Sequence, residues 1–94
     1  MSRRPPANAM RDANESDLFA ELRAWGLSVV PMDLPADALI GFGGRSYLVE
    51  IKAIKGKLTG PQEKFLETWR GDHTILRTID EATAFARMVK GLTA

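Results

Sequence analysis

The sequence contains no cysteine and a single histidine, His73. Without cysteine the chain cannot form disulfide bonds or a thiolate zinc site, and it has no cysteine nucleophile. One histidine does not make a zinc site, so we interpret His73 as a structural or surface residue. The lack of cysteine also fits a reducing compartment, and we expect a cytoplasmic protein.

Long apolar runs are missing as well. No segment approaches the roughly 20 apolar residues of a membrane-spanning helix, and the basic residues Arg3 and Arg4 are not followed by the apolar core of a secretion signal. We therefore expect no membrane association. We interpret residues 1–10 as a flexible N-terminal arm and residues 11–94 as a single domain, because 94 residues allow only one. The apolar share of 45% predicts that this domain is folded.

Neither sign of charge dominates, and a formal net charge of +1 does not by itself indicate a nucleic-acid partner. The distribution is more informative, since Lys52, Lys55 and Lys57 lie within six residues that include no acid. Such a cluster is either an ordinary solvated face or a surface that holds phosphate groups.

Apolar spacing and turn residues predict seven elements in the order α-β-β-β-α-β-α. The glycine turn at residues 42–45 predicts a hairpin, and the helix between the third and fourth strands allows a right-handed crossover to a parallel neighbour. The result is an α/β fold with one mixed four-stranded sheet flanked by helices. The predicted helices span residues 12–25, 60–70 and 79–90, and the predicted strands span residues 27–32, 37–41, 46–53 and 73–78. The side chains expected to point inward from the last two helices are Phe65, Leu66, Trp69, Phe85, Met88 and Val89.

Glu50 and Lys52 are the first candidates for chemistry. They are two residues apart in the most apolar strand, so both point to one face of the sheet. Two charged groups on a buried strand are costly unless a metal ion and water occupy the site. The alternative is an exposed strand face that carries an ordinary Glu–Lys pair.

Asp37 precedes the strand that pairs with this one across the hairpin, which brings it close to Glu50. Two converging carboxylates repel each other without a cation, and Mg²⁺ needs only one or two protein carboxylates. Asp37, Glu50 and the backbone carbonyl of Ile51 therefore form a candidate site for Mg²⁺ or Mn²⁺. The alternative for Asp37 is a turn or strand-start role.

Asp37 followed by Glu50-Ile51-Lys52 resembles the signature of the PD-(D/E)XK nuclease superfamily. The likeness extends over about residues 11–90 and is closest to small phage and prophage nucleases near the virus-type replication-repair nuclease (VRR-NUC) and Holliday-junction-resolvase-like branches. One departure is Ala36, which stands where the family usually has proline, and Pro35 lies one place earlier. Asp33 takes the place of Asp37 if the alignment is shifted. The segments that carry the resemblance are 11–15, 22–26, 47–52, 58–62 and 69–71.

The resemblance implies a restriction-endonuclease-like core and a role for each matching residue. Lys52 would orient the attacking water and offset phosphate charge. Glu15 matches an acidic helix position that holds the metal site through water, and Gln62 matches a glutamine beside the catalytic lysine. The alternatives are an exposed helix acid for Glu15 and, for Gln62, a capping-box partner of Thr59.

We therefore expect a metal-dependent DNA endonuclease in a bacterial or phage-infected cell, with Lys55 and Lys57 on flanking phosphates. Selectivity for DNA structure is left open. The alternatives are a nuclease-fold protein that binds DNA or a partner without cutting, and a plain structural subunit. The resemblance also implies a homodimer. The apolar residues considered for its contact are Val29, Val30 and Met32 on an edge strand, and Trp69 and Phe85, for which a core position is preferred.

Overall fold

The computed structural model describes residues 14–91. It contains three helices and four strands in the predicted order, which confirms an α/β domain with a mixed four-stranded sheet. The predicted arm and the predicted helix start at Asp12 lie outside the described residues. The helices are α1 (Glu15–Ala24), α2 (Gly60–Thr68) and α3 (Ile79–Val89), and the strands are β1 (Ser28–Pro31), β2 (Ala38–Phe42), β3 (Arg45–Ile51) and β4 (His73–Leu76).

The sheet has the order β1-β2-β3-β4, so each strand lies beside its neighbour in sequence. β1 and β3 run antiparallel to β2, whereas β4 runs parallel to β3 after the crossover through α2. The β2–β3 hairpin closes on Gly43 and Gly44, whose φ angles of 61° and 80° suit a turn that requires positive φ at both central residues. This turn sets the register that pairs Ala38 with Val49.

The main core lies on one face of the sheet, under α1 and α3. Alternate residues of β3 point to this face, and Tyr47 meets Phe85 of α3 edge-to-face with ring centroids 5.7 Å apart. The alternation leaves Leu48 and Glu50 on the opposite face, on the side of α2. The buried core residues are Leu18, Phe19, Leu22, Leu27, Ala38, Ile40, Tyr47, Val49, Ile51, Leu76, Ala82, Phe85 and Ala86.

Two threonine caps fix the starts of α2 and α3, as the sequence predicts. Thr59 and Gln62 form a complete capping box, and the Thr78 side chain accepts a hydrogen bond from the Glu81 amide. A cap of this kind contributes about 1 kcal/mol to stability.

Two inward positions predicted from helical spacing are wrong. Trp69 is 40% exposed because α2 ends at Thr68 and Trp69 has extended backbone angles, so helical spacing no longer applies to it. Met88 is 53% exposed because Phe85 and Val89 occupy the inward stripe of α3 and leave Met88 at its margin. Within residues 14–91, no helix is long and apolar enough to cross a membrane.

Candidate active site

Glu50 is the one charged side chain that residues 14–91 bury, with 2% of its surface exposed. Its Oε2 atom accepts a hydrogen bond from Gln62 Nε2 at 2.6 Å and lies 3.8 Å from Lys52 Nζ. The side chain of Lys52 is itself only 13% exposed. A carboxylate, an ammonium group and an amide thus meet at the carboxyl end of β3, where the sequence predicts the site. The Glu–Lys pair is not on an exposed strand face.

Asp37 directly precedes β2, whose first residue, Ala38, pairs with Val49 of β3. The backbone of Asp37 is held from two sides: its N–H donates to Val49 O at 3.1 Å, and its carbonyl accepts from the Met32 amide at 2.8 Å.

The Asp37 carboxylate is fixed by β3. Its Oδ2 atom accepts a hydrogen bond of 2.7 Å from the backbone N–H of Ile51. The N–H and C=O of one strand residue point to the same neighbouring strand, so the Ile51 carbonyl also faces the side on which Asp37 lies. Two of the three predicted oxygen donors, from Asp37 and Ile51, therefore lie on the same side of β3, and the third belongs to Glu50, the residue before Ile51.

Gln62 links helix α2 to this corner. Its side-chain Oε1 atom accepts a hydrogen bond from the backbone N–H of Thr59 at 2.8 Å, and the backbone N–H of Gln62 donates to Thr59 Oγ1 at 3.3 Å. The same side chain donates through Nε2 to Glu50. Gln62 therefore caps α2 and also contacts Glu50, whereas the sequence presents capping and a position beside Lys52 as alternatives.

The basic loop that follows β3 is organised by Arg77, a residue that sequence reasoning missed. Arg77 Nη1 donates to the carbonyls of Ala53 at 2.6 Å and Gly56 at 2.7 Å, with a longer contact of 3.3 Å to Ile54 O. Its place in the sequence was the available signal, because Arg77 directly follows β4 and Lys52 directly follows β3. The parallel pair brings these two strand ends together, and the Lys52 amide donates to Leu76 O. Lys55 and Lys57, on this loop, are exposed.

Glu15 is half-buried at the start of α1. Asn14 Nδ2 donates to Arg77 O at 2.9 Å, so this helix starts at the same end of the sheet as Lys52. Asp33 is exposed in the turn before Asp37. Neither acid completes a larger ligand cluster, because within residues 14–91 no three histidine, aspartate or glutamate side chains are grouped so that they could hold a metal ion.

His73 begins β4, where it is half-buried and pairs with Leu48. Burial lowers the pKa of His73 below its ordinary value, because the charged imidazolium loses hydration. A neutral imidazole on an edge strand agrees with a structural residue.

The donor set fits a hydrated Mg²⁺ or Mn²⁺ better than a metal that needs three or four protein side chains. One carboxylate belongs to Asp37, directly before β2, and the other to Glu50 of β3, and Mg²⁺ keeps several water ligands when it binds proteins. Comparisons of this chain with protein-family models, curated proteins and solved structures found no match.

Proposed function

We propose that this chain is a metal-dependent DNA endonuclease of the PD-(D/E)XK type. The observation that carries the proposal is the buried carboxylate of Glu50, which contacts Lys52 and Gln62, while the Asp37 carboxylate is held by the amide of the next residue, Ile51. Such a concentration of charge under a helix costs stability, and functional sites are where proteins retain it.

In this proposal Asp37, Glu50 and the Ile51 carbonyl hold Mg²⁺ or Mn²⁺. The bound cation supplies polarisation of the scissile phosphate and a lower pKa for bound water. Lys52 places its ammonium group beside the phosphate, where it offsets the extra negative charge of the transition state. Its low exposure strengthens that interaction, because water screens it less.

Gln62 orients the Glu50 carboxylate, and its position is set by the capping box of α2. Lys55 and Lys57 hold flanking phosphates without reading bases, since their loop is exposed and Arg77 fixes its carbonyls. In this proposal, cleavage therefore depends on how the backbone of the DNA strand enters the corner formed by β2 and β3.

Incubation with supercoiled, branched and single-stranded DNA tests the proposal, with Mg²⁺, Mn²⁺ or EDTA in parallel reactions. We expect cleavage that EDTA abolishes. Asp37→Asn and Glu50→Gln should each lower the cleavage rate about 100-fold or more, the scale of losing one group that stabilises developing charge. Glu63→Gln is the matched control, because Glu63 is an exposed acid on the same helix as Gln62. Cleavage that persists in EDTA, or in both site variants, would contradict the proposal.

A second candidate is a nuclease-fold protein that binds DNA or a protein partner without cutting. One observation favours it: the buried Glu50 carboxylate already has a hydrogen bond from Gln62 and an ion pair with Lys52, which are contacts a purely structural network would have. DNA binding by the wild type with no cleavage under any metal would select this candidate.

A further inference from the structure

A pocket of about 360 Å³ opens beside the proposed active site. This volume lies at the lower end of the range for small-molecule sites, about 300 to 1,000 Å³. One wall belongs to the turn that leads into Asp37, and the other to the start of α2. The lining residues are Leu34, Pro35, Thr59, Pro61, Gln62 and Phe65.

Gln62 belongs to both the pocket and the site, because its side chain also holds the Glu50 carboxylate. Pro35 stands two residues before Asp37 in the chain. A ligand group in the pocket would therefore be next to any phosphate bound at Asp37, Glu50 and Lys52.

The pocket lining is suited to stacking. Phe65 stacks on Trp69 with ring centroids 5.2 Å apart and an interplanar angle of 26°. Trp69 is fixed by a hydrogen bond of 3.0 Å from its Nε1 to Asp72 O, and a Cβ at Gly71 would lie 2.5 Å from its Cζ2 atom, so only glycine fits there.

Polar groups that could read a base edge are few. Thr59 and Gln62 are the polar residues of the lining, and both engage each other in the capping box. Aromatic and apolar surfaces bind the flat face of a base, and they do so with little sequence preference. A base paired and stacked within a duplex cannot offer such a face, whereas an unpaired base can.

We propose that this pocket binds an unpaired nucleobase next to the phosphate held at Asp37, Glu50 and Lys52. The substrate is therefore single-stranded DNA, or DNA with unpaired nucleotides, in preference to intact duplex. This inference rests on the proposed nuclease function for the position of the phosphate. The pocket itself can be tested by binding alone.

Fluorescence anisotropy in EDTA measures binding without cleavage. The probes are a fluorescein-labelled single strand of about 12 nucleotides and its blunt duplex, a length within the known range of site sizes. Phe65→Leu keeps an apolar side chain but removes the ring, and Phe65→Ala removes both. We expect each variant to weaken single-strand binding about 5- to 100-fold, the effect of losing one base–aromatic stack. Duplex binding should change less than about twofold.

Met88→Ala is the matched control, because Met88 is exposed on α3 and does not line the pocket. Circular dichroism melts of all variants establish whether they fold. Unchanged single-strand binding by folded Phe65→Leu, or equal losses for single strand and duplex, would overturn the inference. So would a sedimentation mass that shows dimers of the wild type and only monomers of Phe65→Leu, because a second copy would then occupy the pocket.

The outcomes separate this inference from the proposed function. Metal-dependent cleavage of duplex and single strand at equal rates, with no effect of Phe65→Leu, leaves the nuclease and removes the nucleobase pocket. Selective single-strand binding that needs Phe65, in a wild type that cuts nothing, supports the pocket and removes the nuclease.

Discussion

Gln62 has two tasks that a single substitution can separate. Gln62→Glu keeps a residue that serves in capping boxes but replaces the Nε2 donor, 2.6 Å from Glu50, with a second carboxylate oxygen. We expect the variant to lose about 1 to 3 kcal/mol of stability near neutral pH, because a buried carboxylate loses its donor and gains a like charge. This loss of stability should shrink in acid, where carboxylates take up protons. Urea denaturation at neutral and at acidic pH measures the free energy of unfolding of the variant and the wild type.

Glu63→Gln is a suitable control for that measurement, since Glu63 is an exposed neighbour on α2. A Gln62→Glu variant as stable as the wild type at neutral pH would show that the bond to Glu50 is not important for the fold.

Lys52 is expected to act on the transition state more than on the bound strand. Lys52→Ala should lower the cleavage rate about 100-fold while weakening DNA binding only a few-fold, because the interaction grows as charge develops on the phosphate. Single-turnover cleavage and anisotropy binding measure the two effects, with Lys64→Ala, an exposed lysine of α2, as control. Equal losses of rate and affinity would reduce Lys52 to a phosphate contact.

At the scale of elements, much of the site could be predicted from sequence. The two-residue period of β3 places Glu50 and Lys52 on one face, and the glycine hairpin brings Asp37 beside β3, where its carboxylate accepts from the Ile51 amide. Arg77 could not be found in this way, because its contacts with the loop span 21 to 24 residues and depend on the parallel pairing of β4. The exposure of Trp69 depends on the residue at which α2 ends, which periodicity does not fix.

The loop between β3 and α2 is expected to set the salt dependence of DNA binding. Replacing Lys55 and Lys57 by alanine should flatten the slope of log affinity against log salt by roughly one to two, because each phosphate contact releases about one counterion. Titrations at several salt concentrations measure this slope. Arg45→Ala is the control, since Arg45 is an exposed cation at the hairpin end of β3. An unchanged slope in the double variant would place the DNA surface elsewhere.

At the scale of the whole molecule, the outer edge of the sheet at β1 is protected against pairing. The bond from the Met32 amide to Asp37 O shows which residues of this strand face β2, and the alternation turns the backbone of Val29 and Pro31 outward. Pro31 has no N–H to donate, and Arg23 Nη2 covers Val29 O at 3.1 Å. Proline and covering side chains are features by which edge strands avoid association.

This edge bears on the predicted homodimer. Phe85 is core, as the sequence analysis prefers, and Val29 packs partly against the core, whereas Val30 is 53% exposed on the other face. A dimer formed by pairing two β1 strands would have to displace Arg23 and would gain few hydrogen bonds. We therefore expect that any dimer uses a surface other than the β1 edge.

Sedimentation equilibrium at micromolar concentration tests both parts of this prediction. We expect a mass above the 10.4 kDa of one chain that rises with concentration and is the same for Val30→Lys, because a charge on the protected edge leaves a contact elsewhere intact. If the mass of Val30→Lys falls to that of a single chain, the dimer contact lies at the β1 edge. A wild-type mass that stays at 10.4 kDa, with DNA and Mg²⁺ present, would contradict the homodimer. A single site would then cut one strand in each binding event, so supercoiled DNA should accumulate as nicked circles before any linear product forms.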